Sequence, residues 1–390
     1  MIRSKKYRVG IIYMLAFLTG ANFVIVPSLA NIFTADTEFG LSASQFGNLF
    51  IPQTICIILS SLATPFLVNR FGPKKVLGSG IFLMLLSTAV LWSIQFFMGN
   101  KSLSFDVLMI IVAILGLGFG TSITSLNPIA ANLFPKNESS AILIMQFLVV
   151  LGTSSLPFLV SFLKNSEWTL VPAILFIAVL AGFTCLLLAV FEKDHFFELP
   201  KTFRIPKRLW LFITAIVFYG LLEGTFGSYG SVLLKDRGLS VSEASLGLSL
   251  FWGGMALGRL SFGLLTPRLN LSRYFLISPV IVGILLFSLT YANTAFISLL
   301  LMTLSGFFMG SLFPGAIGWA TVEFSTLAVL VSGALMAANQ AGTAISTNTL
   351  GSLTASIPLT NMLKILSLAT LVIFALFMIL RKHSKIDEAF

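Results

Sequence analysis

The stretch from Gly40 to Lys75 constrains this chain most, because part of it occurs twice. Gly40-Leu41-Ser42-Ala43-Ser44 returns as Gly238-Leu239-Ser240-Val241-Ser242, 198 residues further on. A long apolar segment follows each copy and closes on an arginine, Arg70 in the first and Arg268 in the second, again 198 apart. A pentad of Gly, Leu and Ser can match by chance, but chance rarely keeps a distant arginine in register. Two homologous halves are expected. The offset is too long for a solenoid and suits two six-helix halves related by an axis along a membrane normal.

Composition points the same way. The chain is 57% hydrophobic and 10% charged with mean hydropathy +0.99, whereas soluble domains carry about 25% charged residues. At about 20 apolar residues per crossing, 390 residues accommodate a dozen helices and leave little for loops. Apolar segments are expected at roughly 9–31, 44–67, 76–97, 105–133, 139–163, 170–191, 208–232, 243–266, 274–293, 295–321, 328–354 and 361–380. The net charge of +10 lies in short loops, where it encodes topology and not nucleic-acid binding. Alternate loops starting from the N-terminus hold eighteen of the 24 basic residues, which places both termini in the cytoplasm. The first apolar stretch is long enough to span and lacks a clear small-residue cleavage site, so a retained helix is expected. The basic, polar run from Glu192 to Arg208 falls where the repeat needs a boundary. The expected domains are 1–191, a linker at 192–207, and 208–390.

Polar side chains are distributed unevenly. The third, sixth, ninth and twelfth segments are almost purely apolar, while the others carry Asn, Gln, Tyr, Glu and Arg. Such groups are costly against lipid and face a bundle interior or a wet cavity. Every third helix is therefore expected at the periphery. The two-fold plan, the peripheral helices and the basic loop Pro65-Phe66-Leu67-Val68-Asn69-Arg70-Phe71-Gly72-Pro73-Lys74-Lys75 resemble the major facilitator superfamily over essentially the whole chain. Arg70, Gly72, Lys74 and Lys75 match that family's loop pattern, whereas Pro65 and Asn69 stand where it has glycine and aspartate. The missing carboxylate puts in question the charge-relay latch the resemblance implies. Trp252-Gly253-Gly254 with Gly258-Arg259, Phe313-Pro314, and Ser332-Gly333 to Gln340 and Gly342 look most like the fucose/proton symporter branch. The resemblance implies an all-α membrane fold of twelve helices and secondary transport by alternating access.

Glu223 is the one acid placed well inside the membrane. Intramembrane acids commonly mark proton relays, so it is the candidate proton-coupling residue; a hydrogen-bonded or salt-bridged structural acid is the alternative. Arg259, the one intramembrane base, has three readings: an anchor for an anionic substrate, a neutralising partner for Glu223, or a gate residue bonding helix-end carbonyls. At ~1.5 Å per residue the two lie about 22 Å and 12 Å from the cytoplasmic helix ends, so a direct pair needs both side chains to reach. Asn22, Gln53, Asn127, Gln146, Tyr219, Trp252, Asn339 and Gln340 complete the candidate substrate or gate set. Several of the amides are also expected as interhelical glue. Gly116-x-Gly118-x-Gly120 lies mid-helix with no preceding strand, so close packing explains it better than phosphate binding. No catalytic constellation, metal cluster or cofactor motif is apparent; Cys56 and Cys185 have no metal or redox spacing.

The expectation is a multi-pass, monomeric transporter, in a bacterial inner membrane, moving a small polar solute inward with protons. Its partners are the solute, protons and lipid, without nucleic acid, resident cofactor or enzymatic activity. A proton-coupled exporter of drugs, metabolites or siderophore-like compounds, and a non-transporting sensor or scaffold, are the alternatives.

Overall fold

The computed structural model describes residues 4–98, 100–161, 167–190, 205–265, 271–353 and 357–382. Most of the linker at 192–207 lies outside them, and so does Arg268 of the repeat. Ten helices among the described residues are long and apolar enough to cross a membrane, and Arg273–Leu289 is a shorter apolar one. With a broken first helix, the chain is an all-α membrane protein of twelve helical segments.

The segments are numbered α1 to α12 in chain order. In the first half, α1 is Lys5–Phe23 continued by Ile25–Ser28 and Ala30–Thr34, and α2 is Ala43–Asn48 with Phe50–Phe71. Next come α3 Pro73–Ser93, α4 Lys101–Leu133, α5 Glu138–Ser161 and α6 Leu170–Leu188. In the second, α7 is Lys207–Asp236, α8 Val241–Leu265 and α9 Leu271–Leu289. Then α10 is Ala295–Gly310 with Leu312–Glu323, α11 Ala328–Leu353 and α12 Leu359–Arg381.

Three spans expected to be continuous are interrupted, the second helix among them at Leu49. The first helix breaks at Val24 and Leu29, and the tenth at Ser311. A proline follows each main break: Pro27 has no N–H for the Phe23 carbonyl, and Pro314 has none for Gly310.

Contacts divide the chain into two units. One comprises Met1–Leu133 with Leu148–Leu199, and the other Phe134–Phe147 with Pro200–Phe390. The first half of α5 thus packs with the second unit. Within each unit the pairings repeat: α2 packs on α4 as α8 does on α10, and α3 on α6 as α9 does on α12. Apolar side chains remain exposed along α6 (Ile174, Ile177) and α12 (Ile365, Leu368, Leu371), as contact with lipid demands.

The repeated pentad is a helix-start device. Gly40 and Gly238 have φ of 60° and 87°, a region that favours glycine. Two residues later Ser42 caps α2: the Gln45 N–H donates to Ser42 Oγ at 3.2 Å, and the Ser42 N–H donates to Gln45 Oε1 at 3.0 Å. Glu243 makes the same reciprocal pair with Ser240 at the start of α8, the Ser240 N–H donating to Glu243 Oε2 at 2.8 Å. Both are capping boxes.

Glycines set the helix spacing. A Cβ on Gly116 would overlap the Gln53 carbonyl, and one on Gly120 would overlap Ser60, both on α2, whereas Gly118 faces α3. In the second unit, Gly254 and Gly258 of α8 abut Thr303 and Phe307 of α10, and Gly306 and Gly310 reciprocate against Phe251 and Met255. Gly306→Val is expected to destabilise the protein by about 1–3 kcal/mol through overpacking. Gly253→Ala, where nothing lies within 4 Å, is not expected to lower stability. Melting temperatures of the two variants in detergent check the contrast.

Candidate functional site

The second unit gathers its polar residues by close helix approach. Gly220 of α7 abuts the Asn339 carbonyl of α11, and Gly342 abuts the Val217 carbonyl. With the backbones this near, even a short amide spans the gap: Asn339 Nδ2 donates to Glu223 Oε2 at 2.8 Å. Gln340 Nε2 donates in turn to Asn339 Oδ1 at 3.4 Å. One turn before Glu223, the Tyr219 hydroxyl donates to Glu223 Oε1 at 3.3 Å. The Tyr219 ring stacks on Phe313 with centroids 6.0 Å apart.

Arg259 enters from α8. Its Nη2 lies 3.7 Å from Glu223 Oε1, with the two side chains only 6% and 15% exposed. Each of its three nitrogens makes a further bond. Nε donates to the Gly310 carbonyl at 3.0 Å, Nη1 to the Gln146 carbonyl at 3.3 Å, and Nη2 to the Met255 sulfur at 3.4 Å. The Gly310 carbonyl is available because its usual partner four residues on is Pro314. A buried ion pair of this kind is tolerated when further hydrogen bonds satisfy both partners.

Seven sequence-derived candidates therefore belong to the second unit. Glu223, Arg259, Tyr219, Asn339 and Gln340 form one cluster, joined by the main chain of Gln146. Trp252 stands apart from it, packed edge-on against Phe251 at 5.3 Å and facing Gly227. In the first unit, Gln53 Nε2 donates to the Phe23 carbonyl at 3.4 Å, the oxygen that Pro27 leaves without a helical donor. Asn22 is fully buried, and neither of its amide atoms has a hydrogen-bond partner. Asn127 is fully buried in α4.

The basic loop behaves as a brace. Gly72, φ 85°, ends α2 and starts α3. Lys74 Nζ donates to the Leu187 and Ala189 carbonyls at 2.8 and 2.6 Å, closing the end of α6. Arg70 lies over the Phe71 ring at 5.2 Å. Lys75 is exposed, and Asn69 sits in the last turn of α2. In the second unit Arg208 binds Glu323 at 2.5 Å and the Leu380 carbonyl at 2.6 Å, closing α12 likewise.

Sequence reasoning missed Met255 and the carbonyls of Gly310 and Gln146. Pro314, four residues after Gly310, was the legible signal for the first of these carbonyls.

A family model of the Major Facilitator Superfamily matches residues 12–347. The chain belongs to that superfamily. The facilitator is 22% identical over 334 residues to the glucose/mannose transporter GlcP of Bacillus subtilis, covering 81% of this chain and 78% of that one. Its fold matches the E. coli fucose:proton symporter FucP with a TM-score of 0.80 at 16% identity, covering 97% and 99% of the two chains. The proton:xylose symporter XylE matches with a TM-score of 0.77 at 15% identity over 97% and 95%. It is a multi-pass membrane transporter of the secondary type.

Replacing one member of a buried ion pair strands the other, at a cost of about 3 kcal/mol or more. Arg259→Gln is therefore expected to lower stability strongly, and Arg259→Gln with Glu223→Gln to recover part of the loss. Denaturant unfolding of both single variants and the double variant in a mutant cycle gives the coupling energy.

Proposed function

We propose that this facilitator takes up a small, neutral, polar solute together with a proton by alternating access, with Glu223 as the proton-carrying group. The observation that carries the reading is the Glu223–Arg259 pair, an acid and a base held together within membrane-spanning helices. An ionisable group in such a place is a functional candidate by default, with its partner named. Tyr219 and Asn339 hold both carboxylate oxygens, so the carboxyl is oriented in either protonation state.

Arg259 also argues against an anionic substrate. Gly310, Gln146, Met255 and Glu223 already surround its guanidinium, which leaves too few of its N–H donors for a bidentate clamp on a carboxylate or phosphate. Asn22 supplies the complementary hint. A buried amide is normally hydrogen-bonded, and a donor and acceptor side by side suit a hydroxyl-bearing solute. The names of the glucose/mannose, fucose:proton and proton:xylose relatives support a sugar or a similar polyhydroxylated compound. Gln53, Asn127 and Gln340 are further candidates for its hydrogen bonds, and Trp252 for ring stacking.

Proteoliposomes with an imposed proton gradient test this. Wild-type protein is expected to accumulate a labelled sugar, while Glu223→Gln abolishes accumulation and retains counterflow exchange. Accumulation that survives Glu223→Gln removes the proton role from this residue. A thermal-shift screen of neutral sugars against organic acids tests the substrate class, since a ligand bound to the folded state raises its melting temperature. Hits among acids alone overturn the neutral-solute reading.

A further inference from the structure

Helix α9 reads as apolar, yet two of its hydroxyls are turned toward the break in α10. Tyr274 and Ser278 lie four residues apart on one face of α9, and Ser278 is fully buried. The first piece of α10 ends at Gly310, and the carbonyls of a helix's last turn lack intrahelical donors. One of these, Phe308, is met from α9. The Tyr274 hydroxyl donates to its oxygen at 2.8 Å, and the Ser278 hydroxyl at 2.7 Å. A carbonyl oxygen has two lone pairs, so both bonds can be made at once. Ser311, the residue at the break itself, bonds the Tyr274 hydroxyl as well.

The next residue of α9 holds the other side of the break. A Cβ on Gly315 would stand 2.9 Å from Phe275 Cζ, and the Phe275 ring lies 5.2 Å from that of Trp319. Gly315 and Trp319 both belong to the second piece of α10. Tyr274 thus grips the end of the first piece while Phe275 seats the second, so α9 spans the break and fixes the angle between the pieces. Gly310 stands between these two holds, and its carbonyl accepts from Arg259 Nε at 3.0 Å. Phe262 of α8 joins the same arrangement, its ring 4.0 Å from that of Tyr274 and 5.8 Å from that of Phe307. Arg259 precedes it by one turn on that face.

We propose that Tyr274 and Ser278 are positioning residues for Arg259: by holding the Phe308 carbonyl they fix the break in α10, and the Gly310 carbonyl there fixes the guanidinium against Glu223. The proposal rests on the proton-carrying reading of Glu223 above and assigns that site its support. Among the described contacts, the groups that face Glu223 are Arg259 from α8, Tyr219 from α7 and Asn339 from α11, and Arg259 is the charged one. A cation a few ångströms from a carboxylate governs how tightly that carboxylate holds a proton. A guanidinium out of place therefore changes the proton affinity of Glu223. The two α9 hydroxyls act on the acid only through Arg259.

Infrared titration of the purified full-length protein tests this without a solute. The carboxyl band of Glu223 is identified by its absence in Glu223→Gln. Tyr274→Phe with Ser278→Ala, which keeps the aromatic ring, is expected to raise the proton affinity of Glu223 about tenfold, a midpoint about one pH unit higher. Tyr274→Phe alone is expected to give a smaller shift of the same sign, and it carries the test if the paired variant does not fold. Arg259→Lys keeps the charge and loses the fork that holds Gly310 and Glu223 together. On that background the α9 replacements are expected to change the affinity less than about twofold, because the residue through which they act is already loose. An unmoved midpoint in the paired variant overturns the proposal. An equal shift on both backgrounds, as a general loosening of the fold would give, overturns it too. If no Glu223 band titrates in any variant, the proton reading falls and the positioning role with it. A band that titrates but ignores the α9 replacements leaves the proton site standing and removes only the positioning role.

Discussion

A carbonyl that a helix cannot satisfy is the starting point of this site. In a membrane every backbone oxygen must find a donor within the protein. Pro314 deprives Gly310 of its donor four residues on, and α10 breaks there. The orphaned oxygen is met by Arg259 Nε. That bond holds a guanidinium deep between α8 and α10, and the guanidinium requires an anion nearby; Glu223 supplies it from α7. In the first unit Pro27 frees the Phe23 carbonyl for Gln53, the same device with a neutral donor. Charge is present in one unit and absent from the corresponding arrangement in the other.

Glycine makes these short polar reaches possible. Asn339 touches Glu223 because Gly220 and Gly342 let α7 and α11 approach until backbone meets backbone. Arg259 reaches Gly310 because Gly258 and Gly310 do the same for α8 and α10. Without a hydrophobic drive between helices in lipid, such packing and the hydrogen bonds it permits supply the cohesion. The residues that pack the helices of the second unit thus also set the geometry of its polar cluster.

Much of this was legible in the sequence. The repeated pentad announced two halves, and the structure gives its local reason: a positive-φ glycine followed by a serine capping box. The 116–120 glycines read correctly as packing. Glu223 and Arg259 stood out as the charged residues within apolar segments. Their 3.7 Å approach was less accessible, because counting rise along two helices gives depths and says nothing of side-chain reach or of a break in a third helix. The interruption of α1 was hidden for a related reason: a hydropathy window sums over Val24 and Leu29 without sensing backbone angles. That the first half of α5 packs with the second unit left no mark at all, since Ser139 and Ser140 read as ordinary helix-start residues.

Lys74 and Arg208 look like minor caps, yet the chain lengths they bridge are large. Lys74 reaches the Leu187 carbonyl 113 residues later, and Arg208 reaches the Leu380 carbonyl 172 residues later. Each bond fastens an early helix of a unit to the last turn of its final helix. During synthesis the first of these clasps can close while most of the second unit is still unmade, because everything it needs lies before Val190. Each unit therefore carries its own final fastening.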